Sequence, residues 1–144
     1  MPGEVQGSRA SRRPPGAGPD RSHPGCVDFR VPGSKSLTQR ALVAAALAPG
    51  CSTLTGALRA EDTSCLLQAL KALGVNIRAS RTRMIVEGVA GRFLPSPDTL
   101  DLGDNGTAAR LLVSLATLGQ GQYTLDGSPR LRQRPLAPLV EALR

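Results

Sequence analysis

The sequence predicts an α/β (α+β) fold made of repeated β-α-β-α-β-β units, with about two units present and the second incomplete. Short runs of alternating apolar residues are followed by longer segments whose apolar residues recur at helical spacing. The stretch GCSTLTG at Gly50 also returns as GQYTLDG at Gly121, about 71 residues later, and the flanking helices keep nearly the same offset. A chain of 144 residues is long enough for one domain with a modest core.

Residues 1–25 are predicted to form a tail outside this domain. They are rich in Pro, Gly, Ser and Arg and poor in bulky apolar residues, which is typical of disordered segments. They lack the apolar core of a signal peptide. The partial domain is predicted over 26–144, with a first repeat at about 27–90 and a second at about 98–144.

The first repeat is predicted to open with a strand at 27–31, because VDFRV alternates apolar and polar residues. A helix follows over 34–48 and is stopped by Pro49-Gly50, and the β-rich run CSTLTG comes next at 51–56. The face of this helix that carries apolar residues is expected to consist of Leu37, Ala41, Ala44 and Leu47.

A second helix is predicted over 60–74, with Asp62 as its N-cap and Gly74 at its end. The segments VNIRAS and RMIVEG then predict two short strands joined by a turn near Arg81. The buried face of the helix is expected to contain Leu66, Leu70 and Leu73.

The second repeat is predicted to contain a strand at 99–103, a helix at 105–119 and a strand at 122–127. A last helix has Pro135 and Pro138 in its first turn, where missing N–H groups are tolerated. The apolar stripe of the first of these helices is Ala108, Leu111, Leu112 and Leu115, and that of the last is Leu136, Leu139, Val140 and Leu143. No closing strand pair follows, so we expect the second unit to be truncated.

The charge of the chain favours anionic partners. Its net charge is +7 and its pI is about 10.6. With two Phe, one Tyr and no Trp, the chain has almost nothing on which nucleic-acid bases could stack, so small anionic metabolites are favoured over nucleic acid. A basic nucleic-acid-binding module stays open as a non-enzymatic alternative. No apolar run is long enough to span a membrane, and no membrane partner is expected.

Cysteine and histidine usage indicates a reducing compartment and no histidine chemistry. Cys26, Cys51 and Cys65 form no C-x-x-C pair, which fits free thiols in the cytoplasm better than a disulfide framework. The single histidine, His23, lies in the predicted tail, so catalysis by histidine is not expected from this chain.

The stretch PGSKS places Lys35 between Ser34 and Ser36 at the start of a helix. A cation is unfavourable there unless an anion lies opposite, because the helix N-terminus is itself partly positive. Free N–H groups, two hydroxyls and an ammonium together suit a phosphate or a carboxylate. Arg40 follows one turn after Ser36 on the same side. The alternative is an ordinary serine cap beside a solvated lysine.

Two further loops stand in related positions and end in helices. One is LGDNGT at 102–107, followed by Arg110, and the other is GSPRLRQRP at 127–135. Glycine-rich turns and guanidinium groups bind multiply charged anions. Because the repeat relates these loops to PGSKS, we expect all three to meet on one face of the domain.

These motifs resemble a known enzyme family. PGSKSLTQRALVAAALA resembles P-G-S-K-S-x-x-x-R-A-L-x-x-A-A-L-A, near the start of the EPSP synthases (3-phosphoshikimate 1-carboxyvinyltransferases). LDLGDNGTAARLL is similar to the family's L-G-N-x-G-T-x-x-R segment, and LDGSPRLRQRPLAPLVEALR to its G-x-x-R-x-x-x-R-P-x-x-x-L-x-x-A-L-R segment. Order and spacing agree over roughly 27–144, about the N-terminal third of a family member.

The resemblance implies the inside-out barrel of the enolpyruvyl transferases and the transfer of the enolpyruvyl group of phosphoenolpyruvate to the 5-hydroxyl of shikimate 3-phosphate, with release of phosphate. This step belongs to aromatic amino-acid biosynthesis and needs no metal and no organic cofactor. The resemblance further implies a cytoplasmic enzyme that is a monomer at full length. The family's acid/base carboxylates come from later parts of the chain, so residues 1–144 alone are expected not to turn over.

The resemblance also assigns roles to individual residues. Lys35 is implied to contact both substrates and to be catalytic, with Ser36 and Arg40 holding shikimate 3-phosphate. Gly106 and Arg130 are implied to bind phosphoenolpyruvate. The residues implied to shape the loop are Asp104, Asn105 and Thr107. Arg132 and Arg134 are expected to be structural or electrostatic.

Three positions depart from the family pattern, and one sister family competes for the assignment. Asp104 stands where the family often has Asn, and we expect Arg110 or Arg130 to compensate its charge. Gln133 replaces a common Glu, and Leu111 stands where some members have Pro. The sister transferases that act on UDP-N-acetylglucosamine remain an alternative, although their opening loop usually has Lys-Asn where this chain has Lys-Ser.

Overall fold

The computed structural model describes residues 33–144 apart from Thr82 and Pro97. The predicted tail at 1–25 and the predicted strand at 27–31 therefore lie outside the described residues. The rest of the chain contains both helices and strands, so the mixed α/β class is confirmed. The repeat boundaries at about 27–90 and 98–144 stay a prediction.

The first half of the described chain contains an antiparallel sheet of three strands. Its strands are β1 (Pro49–Thr55), β2 (Asn76–Ala79) and β3 (Arg83–Val89), in the spatial order β1-β3-β2. Pairing of β1 with β3 runs from Pro49 opposite Val89 to Thr55 opposite Arg83. The two strands predicted around a turn near Arg81 are thus confirmed as β2 and β3.

Helices α1 (Lys35–Leu47) and α2 (Glu61–Ala72) pack against each other and against this sheet. The predicted face of α2 is confirmed, because Leu66 and Leu70 are fully buried and Leu73, just after the helix, is almost so. The helix ends before Gly74, whose φ of 90° is the left-handed conformation that glycine adopts at little cost.

The predicted apolar face of α1 is not the face that packs against the core. Leu37 is 68% exposed and Ala44 is exposed, whereas Leu42 and Ala46 are fully buried. The second half of α1 is apolar on almost every side, so spacing alone does not select the side that meets the core. The residues that α1 buries are Thr38, Gln39, Leu42, Val43, Ala45 and Ala46.

The second half of the described chain has two short strands, one on either side of a helix. Strands β4 (Leu100–Asp101) and β5 (Leu125–Asp126) pair in parallel, and α3 (Gly106–Ala116) connects them. The predicted apolar stripe of α3 lies in the core, with Leu111 at its edge. Both strands are shorter than predicted, since only two residues of each make ladder hydrogen bonds.

The end of the chain differs from the predicted single helix. A short helix, α4 (Pro129–Arg132), precedes α5 (Ala137–Ala142), and Pro135 lies between them. The predicted buried face of the last helix is wrong, because α5 contains no buried residue and Val140 is 36% exposed. The described elements cover this apolar stripe only in part.

The described residues offer neither a membrane-spanning helix nor a cluster of metal ligands. None of these helices is both long enough and apolar enough to cross a membrane. The same residues contain no group of three or more His, Cys, Asp or Glu side chains that could hold a metal ion.

The exposure difference along α1 gives a stability test. We expect Leu42→Ala to lower the free energy of unfolding by about 2–5 kcal/mol, because it empties a fully buried site. Leu37→Ala, the same change in the same helix at an exposed position, is expected to stay within about 0.5 kcal/mol of the parent. Urea unfolding followed by circular dichroism measures both, and equal losses would contradict the observed orientation of α1.

Candidate anion-binding site

The first turn of α1 is held by its serine cap and by a close backbone contact. Ser34 Oγ accepts a hydrogen bond from the Leu37 N–H at 3.3 Å, so the helix begins at Lys35. A Cβ on Gly33 would lie 2.2 Å from the backbone oxygen of Gly56, so only glycine at this position lets the start of α1 lie this close to the end of β1. No acidic residue of α1 itself neutralises this turn.

The counter-charge of Lys35 comes from α2 instead. Lys35 Nζ lies 2.5 Å from Asp62 Oδ2, and the two side chains are 55% and 28% exposed. The prediction that Asp62 caps α2 is wrong, because the helix begins one residue earlier and the Ala60 N–H donates to Thr63 Oγ1 at 2.9 Å. The carboxylate of Asp62 is therefore free of capping and reaches α1.

Asn105 connects the same turn of α2 to α3. Its Oδ1 accepts from the Ala108 N–H at 3.0 Å, which makes it the N-cap of α3. Its Nδ2 donates to the backbone oxygen of Asp62 at 2.6 Å, and the residue is only 4% exposed. The first turns of α1, α2 and α3 thus meet through Asp62.

Ser36 and Arg40 lie together on the exposed side of α1. The Arg40 guanidinium donates to Ser36 Oγ and, at 3.2 Å, to the Ser36 backbone oxygen. Their predicted neighbourhood on one side of the helix is therefore observed, and their role in binding stays a prediction.

The 103–106 loop is tied to the start of α4. The carboxylate of Asp104 accepts a hydrogen bond from Ser128 Oγ, and the Ser128 N–H donates to the Gly103 backbone oxygen at 3.0 Å. We expected Arg110 or Arg130 to compensate Asp104. Arg110 instead donates to the backbone oxygen of Pro135 at 2.9 Å, and the structure gives Asp104 a hydroxyl partner.

Among the three neighbouring arginines, the structure places Arg134 against Gly106. A Cβ built on Gly106 would lie 2.4 Å from Arg134 Nη1, so the guanidinium covers the first residue of α3. Arg130, assigned to phosphoenolpyruvate by the resemblance, is exposed and forms no ion pair with the described residues. No local sequence pattern distinguishes Arg134 from Arg130 and Arg132, because only the path of the folded chain after α4 brings Arg134 to Gly106.

Arg132 is engaged elsewhere. Its Nε and Nη2 donate to the two carboxylate oxygens of Asp126 at 2.8 and 2.7 Å. This pairing, together with a hydrogen bond from the Gly127 N–H, lowers the pKa of Asp126 below its ordinary value. The same contact raises the pKa of Arg132. Arg132 thus fixes α4 to the end of β5.

The chain matches one family model and several named relatives. The model of EPSP synthase (3-phosphoshikimate 1-carboxyvinyltransferase) matches residues 24–144 of the 144-residue chain. The chain belongs to the EPSP synthase family. It is 49% identical over 119 residues to the 3-phosphoshikimate 1-carboxyvinyltransferase of Shewanella halifaxensis. It is 48% identical over 114 residues to the protein of that name from Rhizobium leguminosarum bv. trifolii.

Solved EPSP synthase structures share the fold. The chain superposes on an EPSP synthase from Acinetobacter baumannii with a TM-score of 0.75 and 30% identity, covering 81% of this chain and 26% of that one. The match to the Shewanella relative covers 81% of this chain and 28% of the relative. The chain thus spans little more than a quarter of the EPSP synthases that it matches, in agreement with the expected fragment.

The Asp126–Arg132 pair predicts a pH-dependent contribution to stability. A carboxyl group with a lowered pKa in the folded chain stabilises it above the unfolded value of about 3.9, and this contribution is lost as the pH falls through the folded value. Urea unfolding at pH 7 should therefore show Asp126→Asn less stable than the parent. The difference should shrink as the pH is lowered below the unfolded value of about 3.9 and through the folded value.

Asp98→Asn is the matched control, because its carboxylate is exposed and forms no ion pair with the described residues. A difference between Asp126→Asn and the parent that persists unchanged at the acid end would contradict the assigned role of the ion pair.

Proposed function

We propose that this chain forms part of an enolpyruvyl transferase site, in which the enolpyruvyl group of phosphoenolpyruvate passes to the 5-hydroxyl of shikimate 3-phosphate and phosphate leaves. The observation that carries the proposal is the meeting of the first turns of α1, α2 and α3 beside Lys35 and Arg134. Membership in the EPSP synthase family supports the choice of substrates.

The electrostatic demand of this reaction matches what the site offers. Each substrate carries a phosphate and a carboxylate, so binding both together needs several cations and hydrogen-bond donors in a small volume. The described site contributes the ammonium of Lys35 and the guanidinium groups of Arg40 and Arg134. These groups can stabilise both the bound anions and the phosphate that leaves.

Shikimate 3-phosphate is assigned to Lys35, Ser36 and Arg40. The Arg40 guanidinium already contacts the Ser36 hydroxyl, so one anionic group can accept hydrogen bonds from both side chains. An arginine beside a hydroxyl donor is well suited to phosphate.

Phosphoenolpyruvate is assigned to Lys35, Gly106 and Arg130, and we add Arg134 because it lies against Gly106. Lys35 belongs to both sets because its helix turn is linked through Asp62 to the N-cap of α3. Asp104, Asn105 and Thr107 shape the loop. The catalytic role of Lys35 is to hold both substrates at one cation while the new bond forms.

We further propose that the complete enzyme is a cytoplasmic monomer without nucleic-acid or membrane partners. Residues 1–144 alone should release no phosphate from the two substrates, because the family's acid/base carboxylates come from later parts of the chain. A phosphate-release assay on the purified chain checks this, and detectable turnover would contradict it.

The two lysines of the chain provide a matched test of the site. We expect Lys35→Met to weaken shikimate 3-phosphate binding at least about tenfold, which corresponds to about 1.4 kcal/mol. Lys71→Met removes the same charge from the exposed last turn of α2 and should leave affinity within about twofold. Isothermal titration calorimetry at fixed ionic strength measures both.

A chimera allows the same two variants to be compared by their catalytic turnover. Residues 27–144 replace the matching segment of the Shewanella halifaxensis relative, and Lys35→Met is then compared with Lys71→Met in that background. An inactive parent chimera, or equal activities of the two variants, would contradict the proposal. Turnover with UDP-N-acetylglucosamine in place of shikimate 3-phosphate would favour the sister transferases. Salt-sensitive RNA or DNA binding that is lost on deleting residues 1–25 would favour the basic module.

Gly106→Ala separates the contact with Arg134 from overall stability. The added Cβ meets only the far end of the flexible Arg134 side chain, so the arginine should move and the free energy of unfolding should change by less than about 1 kcal/mol. Phosphoenolpyruvate affinity of the chimera should fall by about tenfold or less, the size of one weakened charge-assisted contact. A large loss of stability with unchanged affinity would contradict this assignment of Gly106.

A further inference from the structure

Asp62 contacts both substrate-binding loops through different atoms. Its carboxylate holds the Lys35 ammonium at 2.5 Å, and its backbone oxygen accepts from Asn105 Nδ2 at 2.6 Å. We propose that Asp62 is a positioning residue, which fixes the Lys35 ammonium relative to the N-cap of α3. This inference rests on the proposed function and deepens it.

A carboxylate beside an anion site carries an electrostatic cost, since it repels an incoming phosphate. Positioning of Lys35 can offset that cost. The flexible four-carbon stem of an unpartnered lysine samples many rotamers, which the side chain must lose on binding a ligand. An ammonium has three N–H donors, so the pair with Asp62 leaves two of them for a ligand.

The anchor itself is rigid. The backbone oxygen of Asp62 is held by Asn105, whose amide is buried and also caps α3. The carboxylate thus projects from a fixed turn of α2. Lys35 is thereby placed at a set position relative to Gly106, the next residue after Asn105.

Complementing the α2 dipole does not require Asp62. Glu61 lies in the same first turn and places a second carboxylate there, and it forms no ion pair with the described residues. Removing either charge changes the favourable interaction with the α2 helix dipole by a similar amount, whereas only Asp62 contacts Lys35. Glu61→Gln is therefore the matched control for Asp62→Asn.

Positioning and simple competition predict opposite effects. If Asp62 only competes with ligand for the ammonium, then Asp62→Asn removes a repulsive charge and tightens anion binding. If Asp62 positions Lys35, the same variant frees the side chain and weakens binding. Asp62→Glu keeps the charge and should restore at least half of the loss.

The test uses nitrogen-15 NMR of the lysine ammonium groups in the full 144-residue chain, which contains only Lys35 and Lys71. Without ligand, Asp62→Asn should lower the order parameter of the Lys35 ammonium to that of Lys71, and Glu61→Gln should leave it unchanged. Titration with inorganic phosphate, followed on the Lys35 signal, should show about three- to tenfold weaker binding for Asp62→Asn and a change within about twofold for Glu61→Gln.

The two readouts separate failure of the inference from failure of the proposed function. An unchanged order parameter in Asp62→Asn overturns the positioning role, and so does tighter phosphate binding. Equal losses in Glu61→Gln also overturn it. If the order parameter falls as expected but phosphate, shikimate 3-phosphate and phosphoenolpyruvate leave the parent Lys35 signal unmoved, the positioning contact stands and the proposed function fails.

Discussion

The buried amide of Asn105 is the contact on which the geometry of the site depends. Its oxygen caps α3 and its nitrogen holds the backbone of Asp62, so both ends of the amide are satisfied within a buried environment. Leaving either end unpaired would cost about 1–3 kcal/mol, which disfavours other conformations of the 103–106 loop. The first turns of α2 and α3 are thereby held together, and the Lys35–Asp62 pair joins that of α1 to them.

Close glycine contacts place the loops of the two halves in related positions. Gly33 lies against the Gly56 backbone oxygen, and Gly127 lies against that of Gly103, at distances that exclude a Cβ. Gly56 and Gly127 are about 71 residues apart, the offset of the sequence repeat. In both halves the loop that leads into a helix thus packs on a loop that follows a strand. This packing explains why glycine-rich helix starts recur at one side of the fold.

Much of the fold could be predicted from the sequence, because α2, α3 and the β2–β3 pair have clear apolar spacing and turn residues. The face of α1 could not, since its alanine-rich second half is apolar on nearly all sides. Within the site, Lys35 and Gly106 stood out in local motifs. The contact of Asp62 with Lys35 and that of Arg134 with Gly106 join distant parts of the chain, and a single sequence contains no local signal for either.

The balance of charge at the site bears on which ligands it can hold. Asp62 neutralises Lys35, and Asp104 keeps its negative charge beside the Ser128 hydroxyl, so these residues leave the site only part of its positive potential. A ligand with one anionic group, such as inorganic phosphate, is therefore expected to bind more weakly than a ligand with two. In the assignment that we propose, a ligand with two anionic groups engages Arg40 through one group and the start of α3, with Arg134, through the other. The repulsion between such a ligand and the Asp62 carboxylate is then offset by attraction at two places. This favours ligands that carry both a phosphate and a carboxylate.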